Sequence, residues 1–156
     1  CPDSIPTQVF TTTLDLMDKM KAWAQLHPGG LIVHAAAVGD YQVIDSNADL
    51  KLPSGQPKVT VTLTPAPKIL DAIRAWSDGL TIVSFKAAPP HSRKAEVEAL
   101  ASTQGLRTDS AAVFANTIGA LAGDVLFWTP TQAKWADRRE DGLNMLADWL
   151  IDQCND

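Results

Sequence analysis

The sequence predicts an α/β domain of three layers, with a mainly parallel central sheet between helices, and three observations carry that expectation. Apolar runs without alternation stand at residues 31–38, 80–85 and 111–115, the pattern of strands covered on both faces. Segments with apolar residues at helical spacing alternate with these runs, as right-handed βαβ units require. The 156 residues are 46% hydrophobic and 20% charged. That composition supplies one core of ordinary make-up, so residues 1–156 read as a single domain.

Taken in order, the first six residues are turn-rich, and Gln8-Val9-Phe10-Thr11-Thr12 reads as a short strand. Thr12 and Asp15 form a weak capping-box pattern. Leu14, Met17, Met20, Ala24 and Leu26 then follow at helical spacing until Pro28-Gly29-Gly30 stops the helix. Within the first run, residues 31–36 are expected to be a buried, central strand, as are 80–85 and 111–115. Residues 39–55 carry Asp, Asn, Ser and Pro and form a long excursion, a length that in a compact domain is often functional. Val59-Thr60-Val61-Thr62-Leu63 alternates and returns toward the sheet as a strand. Pro67 sits in the first turn of a helix running to Trp76, where a residue without an N–H is tolerated. A Pro89-Pro90 turn leads to a helix over 92–103. Residues 125–128 are a late strand, and 138–152 form a terminal helix with Leu143, Leu146, Leu150 and Ile151 on one face.

Charge narrows the function classes. The formal net charge of −5 argues against a nucleic-acid partner. An anionic small molecule would need local basic residues or helix N-termini. Cys1 and Cys154 read as free thiols of a reducing, cytoplasmic compartment rather than a bridge between the termini. No apolar run approaches the roughly 20 residues of a membrane helix, and no basic segment followed by an apolar one opens the chain. The chain begins without Met and reads as a fragment, a processed product or a trimmed chain. It holds no G-x-G-x-x-G, Walker motif, Cys/His metal spacing or G-x-S-x-G elbow.

Ligands of open α/β sheets bind beyond the carboxyl ends of the strands, and three such ends carry small or polar residues: Ala36-Ala37-Val38-Gly39-Asp40-Tyr41, Phe85-Lys86-Ala87-Ala88 and Ala115-Asn116-Thr117. Asp40 either accepts hydrogen bonds from a base amino group or ribose hydroxyl, or caps a turn. Lys51 and Lys86 either meet a phosphate or carboxylate or are solvated. Asn116 either reaches a substrate or holds a turn. His34 is expected to be a core histidine, and the five tryptophans to be mainly core.

Six segments occur in a telling order: Phe10-Thr11-Thr12, Ala35-Ala36-Ala37-Val38-Gly39-Asp40-Tyr41, Lys51-Leu52-Pro53-Ser54-Gly55, Pro67-Lys68-Ile69-Leu70, Ser84-Phe85-Lys86 and Ala115-Asn116. Through them the chain resembles the phosphopantothenate–cysteine ligase family, from about residue 9 to 151, with its N-terminal part missing. The resemblance implies a Rossmann-like fold with a β-flap excursion and a role in coenzyme A biosynthesis. There CTP or ATP, with Mg2+, activates the carboxylate of 4′-phosphopantothenate as an acyl-nucleotidylate, and the cysteine amine attacks it. By position, Lys51 resembles the catalytic flap lysine. Asp40, Phe85 and Ala37 resemble nucleotide-binding residues, and Ala36 and Asn116 substrate-binding ones. The resemblance also implies a homodimer, or completion by the missing segment, without which the isolated chain is expected to be inactive. It implies neither a flavin nor a resident metal in this domain. Four departures stand against it. The first βα segment is absent, Pro53 replaces a polar flap position, Ala88-Pro89 replaces an acid, and Arg93, Lys94 and Arg107 are the only cations of the following helix. They leave open a diverged, non-catalytic nucleotide- or partner-binding domain of the same fold, and an unrelated α/β domain.

Overall fold

The computed structural model describes residues 5–44, 55, 57–58, 60–119 and 123–155. Their elements are α1 (Thr13–Leu26), β1 (Leu31–His34), β2 (Tyr41–Val43), β3 (Leu63–Pro65), α2 (Ile69–Trp76), β4 (Thr81–Ala88), α3 (Lys94–Thr108), β5 (Ala112–Thr117), β6 (Val125–Thr129), β7 (Gln132–Ala136) and α4 (Arg139–Asn155). One sheet runs in the order β1-β4-β5-β6-β7, and β2 and β3 form a separate antiparallel ribbon within the excursion expected between β1 and α2, its second strand being Leu63–Pro65 rather than residues 59–63. β1, β4 and β5 are parallel, while β6 and β7 are each antiparallel to the preceding strand. The fold is therefore the expected Rossmann-like α/β arrangement, with a mixed sheet whose central strands are parallel.

Side-chain alternation along the strands builds two cores. On one face Ile32 and Ile82 meet Ala24 of α1 and Ile73 of α2, and Val113, Ala115, Leu126 and Trp128 meet Val97 and Ala101 of α3. On the other face Val83, Phe114, Val125 and Phe127 meet Leu146 of α4. Helix, sheet and helix are the three layers. The start of α1 is the expected cap: the Asp15 N–H donates to Thr12 Oγ1 at 3.1 Å, and the Thr11 N–H to the Asp15 carboxylate at 3.0 Å.

Four expectations are corrected. Gln8 to Thr12 pair with no strand among the described residues and stand exposed, Val9 at 83%. β1 is short and lies at the edge of the described sheet, not its centre. The reason is coverage. Ile32 and His34 face the helices and are buried, but Val33 faces the side of α4, which packs on β6 and β7, and it stays 42% exposed. β7 was not expected at all. On α4 the packed residues are Met145, Leu146, Trp149 and Leu150, whereas Leu143 and Ile151 face outward. Gly142 fits there in place of a larger residue, because a Cβ on it would lie 2.2 Å from Val125 Cγ2.

Candidate functional site

Because β1, β4 and β5 are parallel, their carboxyl ends share one rim. The short links between α1 and β1 and between α2 and β4 bring the N-termini of those helices to the same rim, and α3 starts there after β4. Helix N-termini and strand ends together favour an anion.

Asp40 follows β1 at this rim. Its main-chain carbonyl accepts from the Ala66 N–H at 2.9 Å, and its carboxylate accepts from Lys68 Nζ at 2.5 Å. The hydrogen bond and then the charge of Lys68, with a lesser contribution from the Lys86 charge, hold the Asp40 carboxyl below the usual carboxylate range. Both partners are more than half exposed, so this is a solvated ion pair at the rim.

The other candidates divide across the end of β4. Phe85 packs on Phe114, ring centroids 5.3 Å apart, on the face covered further along by α4. Alternation and register put Asn116 on that face and Lys86 on the opposite one. The Asn116 side chain donates to the Thr117 carbonyl at 3.2 Å, a turn-holding contact. Ala36 and Ala37 are exposed, irregular backbone. Ala36 borders a cavity of about 540 Å3 with Phe10, Trp23 and His34. His34 is buried, as expected of a core histidine, and burial lowers its pKa. Lys51 lies outside the described residues. A second cavity, of about 560 Å3, is framed by His91, Lys94, Thr117, Asp124 and Trp135. Lys94 is engaged there by Asp124 at 2.8 Å and lies 5.0 Å from the Trp135 ring centre. Neither cavity is lined by Asp40, Lys68 or Lys86. Lys68 had no assigned role in the sequence. Its signal was a lysine directly before a helix, where Ser, Thr, Asp or Asn is preferred.

Among the described residues no three His, Cys, Asp or Glu side chains group to hold a metal ion, and no helix is long and apolar enough to cross a membrane.

The family model of the DNA/pantothenate metabolism flavoprotein C-terminal domain matches residues 2–127. The coenzyme A biosynthesis bifunctional protein CoaBC of Thermococcus kodakarensis is 32% identical over 124 residues, which are 79% of this chain and 30% of that protein. The chain thus spans under a third of that relative's length. The DNA/pantothenate metabolism flavoprotein of Streptococcus pneumoniae superposes with a TM-score of 0.78 at 18% identity, over 92% of this chain and 71% of that one. A Cab2 mutant in complex with phosphopantothenate-cysteine superposes with a TM-score of 0.69 at 21% identity, over 94% of this chain and 52% of that one. At such identities these two likenesses speak for the fold.

Proposed function

The chain belongs to the DNA/pantothenate metabolism flavoprotein C-terminal domain family, and we propose that it is the nucleotide-handling part of a phosphopantothenate–cysteine ligase. In this reading the carboxylate of 4′-phosphopantothenate attacks the α-phosphorus of CTP or ATP. Pyrophosphate leaves and an acyl-nucleotidylate remains. The cysteine amine then attacks the acyl carbon, displacing the nucleoside monophosphate and forming the amide. Mg2+ arrives with the triphosphate, in keeping with its habit of binding through substrate phosphates.

The observation that carries the reading is the charge arrangement at the rim. In a chain of net charge −5, Lys68 is paired with Asp40 and the Lys86 charge adds a lesser pull on that carboxyl at the carboxyl ends of parallel strands, where α/β sheets bind nucleotides. Asp40 accepts a hydrogen bond from a base amino group or a ribose hydroxyl. Ala36 and Ala37 leave room for close approach to the backbone. Phe85 flanks the nucleotide from its side of β4, Asn116 contacts the acyl substrate, and Lys51 steadies the charge that develops as pyrophosphate departs. Holding both substrates in line supplies much of the acceleration.

The ribbon supports a homodimer. Tyr41, Val43, Val61 and Leu63 are all at least 47% exposed, an apolar surface that a second copy would cover. The substrates named place the reaction in the cytoplasm. The Ala88-Pro89 departure, where the buried end of β4 passes into a turn in which His91 adopts a left-handed backbone (φ 64°), favours the second reading, a nucleotide-binding domain that does not catalyse.

Titration calorimetry with CTP and with ATP, each with Mg2+, tests the proposal. One of the two binds the protein, and Asp40→Ala weakens it roughly tenfold or more, the loss expected of a hydrogen bond to a charged group. If neither nucleotide binds the unsubstituted protein, the proposal fails.

A further inference from the structure

Lys68 breaks a local rule. It occupies the N-cap of α2, where its side chain makes no capping hydrogen bond and where a cation opposes the positive end of the helix dipole. Of the other starts, α1 has the Thr12 cap; α3 also begins on a cation, Arg93, but there Glu96 of the same first turn takes both its main-chain N–H and its guanidinium, whereas Lys68 reaches for a carboxylate 28 residues away. Such violations concentrate where function overrides local stability.

The backbone around Lys68 is held on both sides. The Ala66 N–H bonds the Asp40 carbonyl at 2.9 Å, Pro67 fixes its own φ, and Ile69 is fully buried. The side chain, by contrast, is 59% exposed, and its ammonium rests on a carboxylate that is 70% exposed. An ion pair so open to water is cheaply broken. The local geometry therefore sets a solvent-exposed cation on a fixed base at the N-terminus of α2, on the rim to which Lys86 also belongs.

We propose that Lys68 is an anion-binding residue of this site, parked on Asp40 until a ligand phosphate takes it over. Its departure frees the Asp40 carboxylate to accept a hydrogen bond from a donor group of the same ligand. Lys68 thereby selects for ligands that carry both a phosphate and a hydrogen-bond donor. The inference rests on the nucleotide reading for the identity of that ligand, but the phosphate chemistry stands by itself. Either a nucleotide or 4′-phosphopantothenate can supply the phosphate.

Calorimetry on the purified protein with inorganic tripolyphosphate, CTP, ATP and 4′-phosphopantothenate tests it. Lys68→Ala weakens tripolyphosphate by about tenfold, the scale of one charge-assisted contact in an exposed site, and Lys68→Arg restores most of that. Asp40→Asn does the opposite, tightening tripolyphosphate because Lys68 is released. A purely structural role for the pair would weaken binding in both variants, and that result overturns the proposal, as does unchanged tripolyphosphate binding in Lys68→Ala. Whether Lys68→Ala also weakens the nucleotides or 4′-phosphopantothenate tells which ligand supplies the phosphate. Tripolyphosphate binding that depends on Lys68, with no binding of CTP or ATP, keeps this inference and removes the nucleotide reading. Absence of tripolyphosphate binding to the unsubstituted protein removes the inference, and the nucleotide titrations still judge the other reading.

Discussion

Replacing Gly105 by Ala tests the packing that supports the rim. Gly105 lies in α3, fully against the sheet, and a Cβ there would sit 2.1 Å from Cζ3, 2.7 Å from Cη2 and 2.9 Å from Cε3 of Trp128. Carbon atoms prefer about 3.5–4.0 Å, so helix and ring must separate by roughly 1.5 Å. The ring cannot yield cheaply, since Trp128 is 7% exposed and locked among Val97, Ala101, Val113, Ala115 and Leu126. Overpacking costs about 1–3 kcal/mol, and a contact this short belongs at the upper end. Against it stands the helix preference for Ala over Gly, ~1 kcal/mol. The net expectation is a loss of ~2 kcal/mol. The displacement also reaches the site, because Gln104 donates to Ser84 Oγ at 3.0 Å and to the Phe85 carbonyl at 3.2 Å. Urea unfolding measures the loss as a lower midpoint at unchanged slope. Gly29→Ala is the control: nothing lies within 4 Å of its Cβ, and its stability should stay within about 0.5 kcal/mol. If Gly105→Ala is as stable as the unsubstituted protein, the packing account of α3 is wrong.

His34 makes stability pH-dependent. Burial lowers its pKa from the ordinary value of 6.5, so the unfolded chain binds the proton more readily, and stability falls as pH drops below about 6.5. Unfolding at pH 7 and pH 5 should show a smaller difference for His34→Gln, and an equal difference would refute the assignment. Lys51→Ala should slow pyrophosphate release by something like 100-fold, the usual effect of losing one preorganised electrostatic group, while nucleotide affinity stays close to normal. Val43 and Leu63 face each other across the ribbon and are 47% and 54% exposed. Val43→Asp with Leu63→Asp should turn a dimer into a folded monomer by light scattering at tens of micromolar, near ordinary dimer affinities. A monomeric unsubstituted protein at that concentration would contradict the ribbon's role.

Signals that are local in the chain were legible. The cap of α1 rests on residues three apart, and α2 on an amphipathic turn pattern, although it starts at Ile69 and leaves Pro67 before its Lys68 cap rather than in its first turn. The buried strands β4 and β5 showed as apolar runs because helices cover both their faces. What failed depends on distant partners. The run that became β1 has the composition of a central strand, but composition does not say which face a helix reaches, and Val33 is left open. Gln8 to Thr12 have strand-forming residues yet pair with no strand among the described residues. β7 went unseen because Gln132-Ala133-Lys134 is polar and exposed. Only its hairpin with β6, closed where Thr129 meets Gln132, makes it a strand. At the site, strand-end reasoning placed Asp40 and Lys86 at one rim. It missed that Phe85 and Lys86, adjacent in sequence, project to opposite faces of β4. It also missed Lys68, whose role comes from a contact 28 residues away.

The most direct test of the ligase account is isotope exchange in the absence of cysteine. Labelled pyrophosphate is incubated with the full-length protein, Mg2+, CTP or ATP, and 4′-phosphopantothenate. Forming and reversing the acyl-nucleotidylate carries label into the β- and γ-phosphates of the nucleotide without any amine. Incorporation is expected to require 4′-phosphopantothenate, to proceed without cysteine and to fall sharply in Lys51→Ala. No incorporation with either nucleotide, or incorporation that is the same without the acid, would contradict the ligase account.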